Sequence, residues 1–281
     1  MKIAAVQLVS TPDLARNLAA ARRWVGEAAA RGAELVTLPE YFCLMGQRDE
    51  DKLGIAEPDQ AGHPEASAAA PIQQTLAALA REHGIWLIGG TLPLQVPGDA
   101  AHATNTSLVY GPDGHRVARY DKIHLFRFDD GSRRYDEAAT LLPGSAPVAF
   151  EARSRAGATH RVGLSVCYDL RFPELYRQLM QPAPCSLIVV PAAFTYPTGE
   201  AHWELLLRTR AVENQCYVLA SAQGGLHENG RRTWGHSLII DPWGRILDQW
   251  PEGEGVVLAD LDPEVMTRVR TQLPALQHRR L

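Results

Sequence analysis

A cysteine that ends an apolar run is the first residue here with the placement of a nucleophile. The segment Gly163-Leu-Ser-Val-Cys167-Tyr-Asp-Leu-Arg-Phe-Pro-Glu174 enters as a short strand and turns at Tyr168-Asp169. It leads into Leu175–Met180, which reads as the opening of a helix. A thiol at a strand-to-helix turn is fixed by the strand and exposed by the turn. The next backbone N–H groups point the same way at the helix start, where they can hold an oxyanion beside the nucleophile. The competing reading is a small buried hydrophobe, the usual role of a free cysteine.

Two further groups fall at ends or edges of expected strands: Glu40, after Glu34–Leu38, and Lys122, after His115–Tyr120. Functional groups in layered α/β proteins gather at such strand ends. A thiol, a carboxylate and an ammonium suffice for acyl transfer. The carboxylate can take the thiol proton where burial raises its pKa, and the ammonium can hold the tetrahedral oxyanion. Read singly, Glu40 and Lys122 fit a solvated or structural ion pair equally well.

The elements that must carry these groups alternate from end to end. Ile3–Val9, Glu34–Leu38 and Ile85–Gly90 read as strands, with helices over Asn17–Arg31 and Pro71–His83 closed by Gly32 and Gly84. Gly46–Glu65 is polar and reads as loop. Asn105–Tyr110, the turn Gly-Pro-Asp-Gly and His115–Tyr120 form a hairpin, followed by a charged loop to Pro143-Gly144. Pro147–Glu151 and His160–Val166 form a strand pair leading to Cys167. Leu187–Val190, a helix over His202–Gln215, Tyr217–Ala222, a hairpin over Gly235–Trp250 and a last strand Gly255–Asp260 complete the chain, with a charged tail. No linker or repeat divides it. The expectation is one α/β domain over residues 1–281, with mixed sheets and helices on the outer faces.

Composition narrows the function classes. The net charge is −4 with no basic block, which argues against nucleic acid and anionic membrane surfaces. No apolar run reaches the ~20 residues of a membrane span. The four cysteines lie far apart, without a Cys-x-x-Cys pair, which argues against a zinc knuckle or a secreted disulfide scaffold and points to the reducing cytoplasm. No Gly-x-Gly-x-x-Gly follows a strand, so a dinucleotide-binding protein is disfavoured.

Three segments, Leu38-Pro-Glu40-Tyr-Phe, Tyr120-Asp-Lys122-Ile-His-Leu-Phe and Ser165-Val-Cys167-Tyr-Asp-Leu-Arg171-Phe-Pro-Glu-Leu, resemble in order the signatures of the nitrilase (carbon–nitrogen hydrolase) superfamily. The resemblance covers essentially the whole chain. It implies an αββα sandwich, two mixed β-sheets flanked by helices, and a Glu40–Lys122–Cys167 catalytic set with no metal or other cofactor. A further family glutamate falls on Glu137, with Asp136 as a competitor. Pro191-Ala-Ala-Phe194-Thr, His202–Tyr217, Gly235-His-Ser and Asp241-Pro-Trp-Gly resemble the branch of deaminated glutathione amidases and omega-amidases, which hydrolyse amides of small carboxylic acids. The segment Ala222–Arg232 and the closing Leu273–Arg280 lean toward the former, leaving 2-oxoglutaramate hydrolysis as the rival. A catalytically idle binding member of the fold is the alternative of another class.

The resemblance also implies roles. Glu40 takes the thiol proton, Cys167 attacks the amide, and Lys122 with the Tyr168 N–H holds the oxyanion. A thioester then forms, and water hydrolyses it. Glu137 positions Glu40 or Lys122. Arg171 is the expected carboxylate anchor, with a structural pair to Glu174 or Asp169 as the alternative. Phe194 and Thr195 are expected to line the pocket, and Arg127, Arg133 and Arg134 to reach a distal carboxylate or lie in solvent. A homodimer is implied, packed through Leu175–Met180 and Trp203–Gln215. His124, His236, Ser165, Cys43, Cys185 and Cys216 read as structural; Trp203, Trp243 and Trp250 read as core or interface.

Overall fold

Period-two alternation along the first sheet sorts its side chains between two cores. On the strand Lys2–Gln7, Ile3 and Ala5 face one core while Ala4 and Val6 face the other. Leu35 and Val36, Ile88 and Leu87, and Val109 and Leu108 divide the same way. A strand apolar on both faces must be covered on both, and here helices cover one face and a second sheet the other.

The computed structural model describes residues 1–60, 69–129, 131 and 134–280, the side chain of Arg134 excepted. In the first sheet Lys2–Gln7, Leu35–Thr37 and Trp86–Ile88 run parallel, flanked by antiparallel Gly255–Asp260 and Asp99–Tyr110. Asp99–Tyr110 also pairs with Leu92–Val96, Arg116–Asp121 and Leu141–Leu142. The second sheet runs Ala149–Arg153, Thr159–Leu164, Leu187–Ala192, Tyr217–Ala222, Ser237–Ile240 and Ile246–Trp250, with a parallel centre. Helices Leu14–Ala30 and Pro71–His83 cover the first sheet; Pro173–Leu179 and Tyr196–Asn214 cover the second. The layers are αββα, as expected.

Several expected bounds shift. The helix expected from His202 begins at Tyr196, because Pro197 suits a first helical turn. The helix expected from Asn17 begins at Leu14, where Asp13 accepts the Arg16 N–H as its N-cap. The polar stretch after Gly46 holds a 3-10 turn, Asp49–Ile55. In the charged loop after Lys122, Arg127–Asp129 pairs with Arg134–Asp136. The charged tail contains the helix Pro263–Gln272, whose carbonyl-seeking Arg270 reaches Cys185 and Gln215. Trp203 is buried, but Trp243 and Trp250 lie exposed and are not core. Among the described residues no helix is long and apolar enough to cross a membrane.

Candidate active site

Four chain segments deliver the site, three of them from strand ends. Glu40 lies just past the strand Leu35–Thr37 and is 1% exposed. The neighbouring chain passes it at Gly90, in left-handed backbone, where a Cβ would sit 2.1 Å from the Pro39 carbonyl oxygen. Only glycine permits that approach. Lys122 follows the strand Arg116–Asp121. Its N–H donates to the Asn105 carbonyl at 2.9 Å, and its carbonyl accepts the Gly144 N–H at 2.9 Å. A Cβ on Gly144 would meet the Asp121 oxygen at 2.1 Å, so the Pro-Gly after the loop holds the lysine's backbone in place. Glu137 opens a 3-10 turn and exchanges two hydrogen bonds with the Phe126 backbone.

These side chains converge on the lysine. The Lys122 ammonium donates to Glu40 Oε1 at 2.9 Å and to both Glu137 oxygens at 3.0 and 2.8 Å. Asn105 Nδ2 donates to Glu40 Oε1 at 3.0 Å, and the Tyr41 hydroxyl donates to Glu137 Oε1 at 2.7 Å. Burial opposes charge on Lys122, but the Glu137 and Glu40 carboxylates outweigh it and hold the ammonium above its usual range. Burial alone would raise the Glu137 carboxyl. Lys122, the Phe126 N–H and the Tyr41 hydroxyl more than offset it and hold the carboxyl below the usual range.

Cys167 sits where the strand Thr159–Leu164 passes into a 3-10 turn, Cys167–Arg171. Its φ of +48° is left-handed, an uncommon conformation for a residue with a Cβ, and one that stores about 1–3 kcal/mol. Asp169, fully buried, holds the turn. Its oxygens accept the Val166 N–H at 2.9 Å, the Tyr120 hydroxyl at 2.6 Å, and the His124 backbone and ring N–H groups at 3.0 and 2.7 Å. Burial and the Glu40 charge push the thiol up, while Lys122 and the Ala193 N–H pull it down. The net result is a thiol held protonated well above its ordinary range.

A narrow slot of about 20 Å³ lies over the thiol, with room for about one water-sized group. Glu40, Phe126, Tyr168, Arg171, Phe194 and Thr195 are among its walls. It meets an outer vestibule of about 740 Å³ at Tyr41, Glu137 and Arg231. Arg171 pairs with neither Glu174 nor Asp169. Its guanidinium approaches His202 Nδ1 at 3.3 Å and lies 5.8 and 5.5 Å from the Tyr168 and Phe194 ring centres. Among the described residues, no group of three or more His, Cys, Asp or Glu is arranged to hold a metal.

The sequence profile of the carbon-nitrogen hydrolase family matches residues 2–271. The chain belongs to the carbon–nitrogen hydrolase family. It is 42% identical over 279 residues to a protein named deaminated glutathione amidase from Synechocystis, covering 98% of this chain and 97% of that one. It is 37% identical over 283 residues to omega-amidase NIT2 of Homo sapiens, covering 99% and 95%. Its fold superposes on the crystal structure of Saccharomyces cerevisiae Nit3, of branch 10 of the nitrilase superfamily, with TM-score 0.84, 31% identity and coverage of 100% and 97%.

Four expected groups, Glu40, Glu137, Cys167 and Arg171, thus line one slot in this hydrolase together with Phe194 and Thr195, and Lys122 lies behind it, bonded to Glu40 and Glu137. The Tyr168 N–H precedes the first hydrogen bond of its 3-10 turn, that from Asp169 to Val166, so the turn's own ladder does not use it. Arg127 faces solvent and lies 3.8 Å from Asp136, the expected competitor of Glu137; Arg133 and the Arg134 side chain lie outside the described residues. His124, His236 and Ser165 are hydrogen-bonded within the fold. Cys43, Cys185 and Cys216 are buried. Other residues that the sequence reading did not assign to the site also lie at it. Asn105, Tyr41 and Arg231 reach the site through strand pairing or loop packing; Tyr41 had a signal in its place beside Glu40, and Arg231 one in the branch segment Ala222–Arg232.

Proposed function

We propose that the protein is an amidase acting through a Cys167 thioester, with deaminated glutathione as its leading substrate. One observation carries this reading: a single buried ammonium joins two carboxylates beside a thiol held protonated on a strained turn. Such a thiol is no resident thiolate, so its proton must leave as it attacks. Glu40 is the base. The sulfur adds to the amide carbonyl, and the oxyanion is held by Lys122 and the Tyr168 N–H. Glu40 returns the proton to the departing amine, leaving a thioester. Water, deprotonated by Glu40, then releases the carboxylic acid and restores the thiol. Glu137 fixes Lys122 and balances its charge. Arg171, without a carboxylate partner among the described residues, receives the acyl carboxylate.

The 37% identity to omega-amidase NIT2 of Homo sapiens favours a second reading, hydrolysis of 2-oxoglutaramate, which carries the same acyl group with ammonia as the leaving amine. Side-by-side hydrolysis assays on the two amides test both. Turnover of neither by protein with an alkylatable Cys167 would refute the proposal, as would wild-type turnover by Cys167→Ala.

The whole chain is proposed as one hydrolase domain, since one core spans both sheets. A cytoplasmic location is supported by four buried, unpaired cysteines. A homodimer is supported by Leu205 and Val212, 66% and 50% exposed on the helix Tyr196–Asn214. Leu175, Leu179 and Met180 are buried within this chain, so the dimer face is proposed on the longer helix.

A further inference from the structure

The two oxygens of Glu40 are held unequally. Oε1 accepts from the Lys122 ammonium at 2.9 Å and from Asn105 Nδ2 at 3.0 Å, which fills both of its lone pairs. Among the described residues no N–H or hydroxyl donates to Oε2. Glu40 and Cys167 line the same slot, and the thiol is a hydrogen-bond partner of the Glu40 side chain. With Oε1 full, the proton that leaves the sulfur has one place on this carboxylate to land, which is Oε2.

Asn105 is placed to keep that division. It is 2% exposed on the strand Asp99–Tyr110, whose backbone pairs with Leu92–Val96 on one edge and Arg116–Asp121 on the other. Its carbonyl accepts the Lys122 N–H while its side chain donates to Glu40. One residue thus sets both the lysine's backbone and the carboxylate's rotation. Its own Oδ1 is buried without a partner, and an unfilled buried acceptor costs free energy. Turning the amide over would set oxygen against oxygen at Glu40, so the carboxylate fixes the orientation and the orphan atom remains.

The ammonium cannot hold Oε1 alone throughout the reaction. Its three hydrogens are already spread over Glu40 and both Glu137 oxygens. Turning one toward the oxyanion loosens a carboxylate contact. Asn105 is neutral and has no part in holding the oxyanion, so it stays on Oε1.

We propose that Asn105 is the positioning residue of the base: it locks Glu40 so that Oε2 alone takes the thiol proton and returns it to the leaving nitrogen. This rests on the amidase reading above. The S–H bond breaks as the S–C bond forms, and the proton crosses to Oε2. It leaves on the amine nitrogen when the C–N bond breaks. A carboxylate free to rotate would meet the sulfur and the nitrogen at varying distances, and a misplacement of about 1 Å costs about a hundredfold in rate.

Asn105→Leu removes the donor at similar volume. It should lower kcat by about 10- to 100-fold with KM nearly unchanged, since Asn105 is not among the walls of the slot. Asn105→Ser leaves room for a water to donate instead and should recover part of the loss. Wild-type kcat per folded molecule in both variants, with only the melting temperature lowered, makes Asn105 structural and overturns the proposal. The oxygen assignment is read without turnover in Glu40→Gln. There the amide oxygen should stay with Lys122 and Asn105, which places the NH2 protons against the Cys167 CβH2. A nuclear Overhauser contact in glutamine-labelled protein, absent from the wild type, detects them. Those protons found on the Asn105 side overturn the proposal even where neither Asn105 variant folds. Turnover of no amide by the wild type overturns the amidase reading and the base role with it, whereas the other two adverse results leave that reading intact.

Discussion

Replacing Lys122 with Met removes one charge and leaves two carboxylates facing each other in the interior. Glu40 and Glu137 side chains are 1% and 13% exposed, and both lose a contact of 3.0 Å or less. Removing one partner of a buried ionic group typically costs about 3–5 kcal/mol. Asn105 still serves Glu40, and Tyr41 with the Phe126 N–H still serves Glu137, which places the expected loss near the lower bound, about 3 kcal/mol at neutral pH. The loss should depend on pH. In the wild type Glu137 titrates below its unfolded value near 4.5, so its contribution is present above that pH and fades as pH falls through the folded value. Without the ammonium, burial and mutual repulsion favour a bound proton, so the folded variant is weakened as pH rises. The gap between the two proteins should be small near pH 4 and widen toward pH 8. Urea unfolding of both proteins across that range measures it. Turnover should fall by about a hundredfold or more, as for loss of an oxyanion donor. A difference under about 1 kcal/mol that is flat with pH would refute the charge argument.

Further outcomes follow from the same contacts. Glu40→Gln keeps an acceptor for Asn105 and so should fold, but mixing it with substrate should yield no burst of released amine, as quenched-flow would detect. Removing the Glu40 charge takes away an influence that raises the thiol, so thiolate absorbance near 240 nm should appear at lower pH in that variant than in the wild type. A wild-type Cys167 already ionised at pH 7 would contradict the protonated-thiol mechanism. Asp169→Asn disturbs buried bonds to Val166, Tyr120 and His124 and should cost about 1–3 kcal/mol in thermal or urea unfolding, with kcat falling alongside. Leu205→Glu should shift sedimentation from dimer toward monomer, and unaltered sedimentation would move the proposed dimer face elsewhere.

The sequence by itself determined most of the order of strands and helices and the three segments carrying Glu40, Lys122 and Cys167, while the αββα layering came from the family resemblance and the strand Leu92–Val96 and helix Pro263–Gln272 went unread. Those signals are local: alternation along a strand, glycine after a helix, a reactive residue where an apolar run stops. Element bounds moved where caps intervened, as at Asp13 and Pro197. Tertiary structure decided what joins the segments. Glu40 and Lys122 are 82 residues apart, and Lys122 and Glu137 meet through a loop return that no period encodes. The fate of Arg171 was likewise decided in space: the carboxylates nearest it in sequence are bypassed, because buried Asp169 is already filled by Val166, Tyr120 and His124. Arg231 lay in the segment Ala222–Arg232 that carried the branch resemblance, but nothing in the sequence placed it at the site. A charge is informative only when its partners are known, and partners are set by the packing of distant strands and loops.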